Sequence, residues 1–231
     1  MGSVAEQDPW DMVIASIARG TYTADYSIGE TIPLTVGTRG TINMQIVAFN
    51  ADTLASDPTD KAAISFVSVE ILTNHIMNSS GGNGVSGNDA AHYNTGLAGW
   101  PSCDARYWLR ETILKNEFPA NLRNAIKEVV KTYYEGTTAK TTLSIADTIW
   151  LPSLREVGFG CENSGPVYST VFNGNTARIK KLNEAAARWR VRSTRYASSP
   201  WSEISNTGTQ LSAGGAQTAQ RTSGMVIGFC L

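Results

Sequence analysis

The last seven residues, Met225-Val-Ile-Gly-Phe-Cys-Leu231, form an apolar run, and such a run demands burial. Ahead of it, residues 193–224 hold seven Ser, five Thr, four Gly and four Ala, twenty of 32 positions. Little there is large enough to build a core, and Trp201, Ile204 and Leu211 are the side chains able to fasten it. Before it, Trp189 and Val191 alternate with Arg188, Arg190 and Arg192, the period-two pattern of a strand with its arginines on one face. A polar stretch fixed by apolar strands at both ends is not a floppy tail. The pattern predicts a display surface on a rigid frame, because binding loops use Tyr for rigid contact area and Ser, Gly and Asn for adaptable hydrogen bonds. A solvated surface loop with no partner is the alternative. Three guanidinium groups on one strand face repel unless acceptors receive them. Glu156 and Asp147 are the expected structural partners, with a binding role for at least one arginine as the alternative.

Composition narrows the class. Charged residues make up 17% of the 231, against about a quarter in ordinary globular chains, and the apolar content is enough for a core without staples. Residues 9–231 read as a single domain, and residues 1–8 as an arm that includes a leftover Met1-Gly2-Ser3. The net charge of −1 gives no global field for nucleic acid or acidic membranes. Locally, Arg178, Lys180, Lys181, Arg188, Arg190, Arg192 and Arg195 stand against Glu184 alone. That cluster reads as a solvated face with structural pairs, and an anion- or nucleic-acid-binding patch is the alternative. Cys103, Cys161 and Cys230 lie far apart, without a CxxC and with only His75 and His92 in the chain, so no metal site is expected. The thiols read as mostly free, with one disulfide left open. No apolar run is long enough to span a membrane.

Along the chain, Asp8-Pro9 offers a cap and a first-turn proline. Trp10, Val13, Ile14 and Ile17 follow at helical spacing, and Gly20 supplies a stop. Ile32 to Val36, Ile42 to Ala48 and Ala63 to Leu72 read as strands. Residues 79–99, with six glycines and with His92 and Tyr93, read as a long loop of the functional or mobile kind. A second helix is expected from Trp100, with Ser102 as cap and Ala105, Trp108, Leu109 and Ile113 as its stripe. Phe118, Leu122, Ile126, Val129, Val130 and Tyr133 predict a further helical stripe over 118–134. Thr142 to Leu151 reads as a strand, 158–176 as loop, and 177–187 is ambiguous with a helical leaning.

Motifs for chemistry are missing. GxSxG, HExxH and a P-loop do not occur, and the Gly158-Phe-Gly160 stretch lacks the rest of a dinucleotide fingerprint. Asp104 and Glu156 are the acids a hydrolase would use, but spacing does not single them out. Cys230, in an apolar terminal strand, reads as a buried inert thiol. No cofactor is expected.

A resemblance is carried by ordered motifs. Trp10, Ile14, Gly20 and Tyr26-Ser-Ile-Gly-Glu30 come first, then the strand from Ile42 to Asp52. Trp100-Pro-Ser-Cys-Asp104-Ala-Arg106-Tyr-Trp-Leu109 is similar to a W-x-S-x-[DN]-x-R-x-W-L pattern. Asp147-Thr-Ile-Trp-Leu-Pro-Ser153, Ala177-Arg-Ile-Lys-Lys-Leu-Asn183, Trp189-Arg-Val-Arg192-Ser193, Asn206-Thr-Gly208 and Gly224-Met-Val-Ile-Gly-Phe-Cys230 follow. From about residue 9 to 230 the chain resembles a family of C-type-lectin-fold domains of gut Firmicutes and their phages, which includes the variable proteins of diversity-generating retroelements. It departs from that family at W-R-V-R-S-T, where W-W-L-R-S-P is usual, and at G-M-V-I, where G-V-R-P is usual. The resemblance implies an α+β, C-type-lectin-like fold: two main helices packed on small twisted antiparallel sheets, neighbouring termini and a loop-rich C-terminal half. It implies a non-enzymatic domain, on a virion or cell surface, that recognises a bacterial surface protein or glycan. Adenine-directed codon change would make Arg195, Tyr196, Ser198, Ser199, Ser205, Thr207 and Thr209 the variable, ligand-binding positions. Trp201, Glu203, Gln210, Gln217 and Gln220 would be scaffold. The calcium-binding triplets of sugar-binding lectins are absent and Glu203 is the one acid in 193–224, so no calcium is expected there. A structural virion or adhesin module is the alternative function. A relative of the formylglycine-generating oxidases, which would require paired reactive cysteines, is the other.

Overall fold

Helix α1, Pro9–Arg19, starts and stops where its caps dictate. The Asp8 carboxylate accepts from the Trp10 amide at 2.8 Å, Pro9 occupies the first turn, and Gly20 closes the helix in the left-handed region at φ 72°. The Trp10 indole donates to the Pro33 carbonyl, and its ring lies 5.3 Å from Phe66 and 5.6 Å from Phe229. The protein is described here by a computed structural model covering residues 7–79, 99–134, 141–194, 201–211 and 221–231. The expected 79–99 loop, with His92 and Tyr93, falls almost wholly outside the described residues.

The short helix α2, Tyr22–Asp25, leads to strands β1 (Thr31–Thr35), β2 (Thr41–Phe49), β3 (Ile64–Ser68) and β4 (Thr73–His75). A 3-10 turn at Trp100–Ser102 precedes α3 (Asp104–Trp108), which runs on as a π-helical stretch, Leu109–Glu117. Cys103, not Ser102, caps α3, its sulfur accepting from the Arg106 amide. Helix α4 (Ala120–Ala125), β5 (Val129–Tyr134) and β6 (Thr142–Asp147) follow. Then come β7 (Lys180–Leu182), β8 (Ala185–Ala187), β9 (Trp189–Thr194), β10 (Trp201–Ile204), β11 (Ser223–Met225) and β12 (Gly228–Cys230).

The expected α+β, C-type-lectin-like plan with two main helices on sheets is corrected by this element list. Strand exceeds helix, 34% to 22%, and the strands form several small sheets. The decisive miss lies at 118–134. After α4 the sequence Val129-Val-Lys-Thr-Tyr-Tyr134 is β-branched and aromatic, which favours an extended chain. It pairs antiparallel with β6, and every second residue, Val129, Lys131 and Tyr133, is buried. Residues 177–187 likewise form the β7–β8 hairpin, turned by Asn183 and Glu184, both at positive φ.

Two four-stranded sheets organise the molecule, ordered β1-β2-β3-β12 and β10-β9-β11-β4. One pair of chain segments belongs to both. β3 continues towards β4 while β11 continues into β12. Between them the Ser68 amide donates to the Ile227 carbonyl at 2.8 Å, and the Leu72 amide to the Met225 carbonyl at 2.9 Å. The apolar C-terminal run is therefore an interior strand pair, as its composition requires. Alternation along β2 and β3 builds two cores. Met44, Ile46, Ile64 and Phe66 face one with Trp10 and Phe229, while Val47 and Val67 face the other with Trp189, Val191, Ile204 and Val226. A register shift between Ile46 and Ala48 sets Val47 as the extra residue of a bulge.

The basic stretch 178–195 is not the solvated face expected of it. Arg178, Lys180, Arg190 and Arg192 are buried, Lys181 and Arg188 are exposed, and Arg195 lies outside the described residues. Lys180 donates to the Ser68 carbonyl at 2.7 Å, and its ammonium sits 5.3 Å from the centroid of Phe172. Burial lowers its pKa from 10.5 to about 8, with Glu70 opposing. The folded state thus holds this proton less tightly than the unfolded chain. The cost is full below pH 8 and vanishes as the pH rises to 10.5. Lys180→Met is expected to raise stability at pH 7 by roughly 1–3 kcal/mol, a gain that shrinks to nothing towards pH 10.5 in denaturant titrations. A less stable variant at pH 7 would mean that the Ser68 bond outweighs the cost of burial.

Candidate functional site

Strand β9 is buried along its entire length, and so is β10, to which it pairs antiparallel with Glu203 opposite Arg190 and Ile204 opposite Trp189. Arg190 lies at their junction. Its guanidinium donates to the Trp201 carbonyl at 3.3 Å and to the Arg221 carbonyl at 3.0 Å, and its Nε lies 3.2 Å from a Glu203 carboxylate oxygen. Burial lowers its pKa to about 10, with Glu203 opposing. Trp201 follows residues 195–200 and Arg221 follows residues 212–220, so one planar fork fixes the roots of both segments. The frame carries a cost, since the Trp201 indole nitrogen and the Ser202 hydroxyl are buried without a hydrogen bond.

Beyond β10 the chain makes a tight turn. The Ser205 amide donates to the Thr209 carbonyl at 2.8 Å and the Gly208 amide to the Ser205 carbonyl at 3.0 Å. The buried Ser205 hydroxyl accepts from the Thr207 and Thr209 amides at 3.2 and 3.1 Å, and it lies 2.8 Å from each of their hydroxyls. Asn206, Thr207 and Thr209 face solvent. Of the seven residues expected to bind ligand, Thr207 and Thr209 are thus on the surface, and Ser205 is an internal fastener of the same turn. Arg195, Tyr196, Ser198 and Ser199 lie outside the described residues.

Beneath β9 is a group of charges that sequence reasoning only partly anticipated. Arg192 makes a bidentate pair with Glu156, 2.7 and 2.8 Å, and also donates to the carbonyls of Thr132 and Leu151, both at 2.7 Å. Glu156 was an expected arginine partner. Asp147 was another, but it holds Arg106 at 2.6 Å and the Trp100 indole at 2.6 Å, which joins two of the quoted motifs. Glu156 in turn touches the Lys131 ammonium at 3.1 Å, and Lys131 lies 2.6 Å from Asp52. Tyr168 donates to Asp52 at 2.8 Å. None of these side chains is more than 1% exposed. Glu156 is held down to about 2: burial alone would raise it, and the charges of Arg192 and Lys131 outweigh burial. Asp52, Lys131 and Tyr168 were missed. The available signal was Lys131 sharing strand parity with Val129 and Tyr133.

The arrangement offers little to covalent catalysis by thiol. Cys103 and Cys230 are buried, and burial pushes both thiols well above their usual range, so neither is a thiolate at neutral pH. Among the described residues no group of three or more His, Cys, Asp and Glu is placed to hold a metal ion, and no helix is long and apolar enough to cross a membrane. An open groove of about 440 Å³ runs past Arg39, Glu70, Ile71, Lys181 and Glu184, away from the turn.

The turn depends on Gly208, at φ 78°, where an added Cβ would stand 1.7 Å from the Asn175 carbonyl oxygen. Gly208→Ala is expected to cost about 2–4 kcal/mol, read as a lowered midpoint in thermal unfolding. Gly174→Ala, with open space around its Cβ, should stay within about 0.5 kcal/mol. Equal effects at the two sites would show that the Gly208 approach to Asn175 is not what holds the turn.

No curated protein and no solved structure matches the chain. A family model does, over residues 67–230, which takes in β4, the helical middle, the buried charges and the whole β9–β12 frame. The chain belongs to DUF6273, a family described as a domain of unknown function.

Proposed function

We propose that this protein is a non-enzymatic recognition domain whose ligand is a protein or glycan on a bacterial surface. The binding residues are those of the Asn206–Thr209 turn together with segments 195–200 and 212–220, which adjoin the frame in sequence. The observation that carries this reading is the Arg190 fork, which ties both segment roots to a strand pair buried on both faces. Beside it, the Ser205 hydroxyl organises a turn whose exposed side chains are small and polar. A surface fixed before the ligand arrives loses less freedom on binding. Small polar side chains that take no part in a core can change without unfolding the protein. Arg195, Tyr196, Ser198 and Ser199 extend the same surface in this proposal, which fits a phage or cell-surface protein whose partner varies.

The test is a glycan array and a whole-cell binding screen with the full chain, followed by substitution. Thr207→Arg with Thr209→Arg is expected to weaken binding at least about tenfold while changing stability by no more than about 0.5 kcal/mol. Trp201→Ala, which removes a buried anchor, is expected to cost roughly 3 kcal/mol and to lose binding with the fold. Binding that survives the threonine changes and falls with Lys181→Ala would move the site to the groove and end this reading.

A further inference from the structure

The buried charges contain more than a salt-bridge network requires. Four ionisable groups, Asp52, Lys131, Glu156 and Arg192, are sealed from solvent together. Arg192 and Glu156 satisfy each other through a two-point contact and need no third partner. That leaves Lys131 and Asp52 as a second ion pair in the same dry space, where attraction barely repays desolvation. Their surroundings are those of a reaction site. The Lys131 Nζ stands 2.6 Å from Asp52 Oδ1, 3.1 Å from Glu156 Oε1 and 3.0 Å from the Tyr168 hydroxyl, and 3.6 Å from the centroid of the Trp150 ring. The other Asp52 oxygen, Oδ2, accepts from the Ser65 hydroxyl at 2.5 Å and the Tyr168 hydroxyl at 2.8 Å, with the Cys230 sulfur at 3.5 Å.

We propose that Lys131 and Asp52 condense spontaneously into an intramolecular amide that covalently joins β5 to the segment following β2. The ammonium gives up two protons. One crosses the short contact onto Asp52 Oδ1, and one goes to Glu156 Oε1. The neutral amine then attacks the Asp52 carboxyl carbon, forming the C–N bond. Negative charge gathers on Oδ2, where the Ser65 and Tyr168 hydroxyls already point, as in an oxyanion hole. The C–Oδ1 bond breaks, Glu156 returns its proton to the departing oxygen, and one water leaves. Ammonium plus carboxylate becomes amide plus water, so neither oxidant nor cofactor is needed. Arg192 and Glu156 remain as the single ion pair. Fixed positioning supplies the effective concentration that such a condensation needs.

The protonation states fit this order of events. Burial alone would lower Lys131, but the charges of Asp52 and Glu156 outweigh it and raise its pKa, so the site rests as an ion pair and proton transfer is the activating step. Burial and the same two carboxylates push Tyr168 well up, which keeps its hydroxyl a donor throughout. The inference is independent of the recognition reading, because it concerns the frame and not the ligand.

The test is the mass of the whole chain. The purified, folded protein is kept at neutral pH, denatured and weighed intact. The expected mass is about 18 Da below that of the sequence, one water. A tryptic digest should then give a branched peptide containing residues 52 and 131, with no cleavage after Lys131. Lys131→Arg should show the full sequence mass. A full mass for the unsubstituted protein, or a deficit traced to other residues, would overturn the proposal. Because the unsubstituted chain decides the matter, the result does not depend on whether the variant folds.

Discussion

The bidentate contact between Arg192 and Glu156 is what the late half of the chain is assembled around. Arg192 sits in the middle of β9, and its remaining donors reach the carbonyls of Thr132 and Leu151, which ties three separated stretches to one guanidinium. Glu156 adds the amide of Ser153, at 2.9 Å, and the Lys131 ammonium, at 3.1 Å. Removing either partner would leave a charge stranded in the interior, which is far costlier than never having buried the pair. The contact explains why a strand reading Trp-Arg-Val-Arg can be interior on both faces. Its apolar face fills the second core, while its polar face is neutralised by acids from elsewhere in the chain.

Legibility in the sequence followed how local each cause was. Helix α1 could be read because Asp8, Pro9 and Gly20 act on neighbouring backbone groups. Strand β9 could be read because its parity is written in four consecutive residues. The second long helix failed because the apolar residues from Phe118 to Tyr133 fit helical spacing by coincidence. The β-branched cluster at Val129 and Val130 carried the opposite instruction, and the pairing with β6 decided between them. The charge network was illegible for a different reason. Its members stand at 52, 131, 156, 168 and 192, and no spacing rule connects positions brought together only by sheet topology. The turn at Ser205–Thr209 was half legible: its composition marked it as a surface, but not that Ser205 is the residue turned inward.

Frame and surface divide their tasks by chemistry. The frame uses Trp, Arg and Glu, whose burial is expensive unless every contact is made, and therefore tolerates little change. The turn beyond it uses Thr and Asn, with a hydroxyl and a glycine holding the backbone from within. Its geometry is thus set by main-chain and Ser205 contacts rather than by the outward side chains.

The strand pair shared by the two sheets has a consequence for cooperativity. Because Ser68–Ile227 and Leu72–Met225 are rungs of one ladder that passes from one sheet into the other, neither sheet has a boundary along which it could open alone. Melting the frame at β11 exposes the β12 edge and with it the first core. The two halves are therefore a single foldon, and slow amide exchange should run without a break from the strand beside Trp189 to the one beside Phe66.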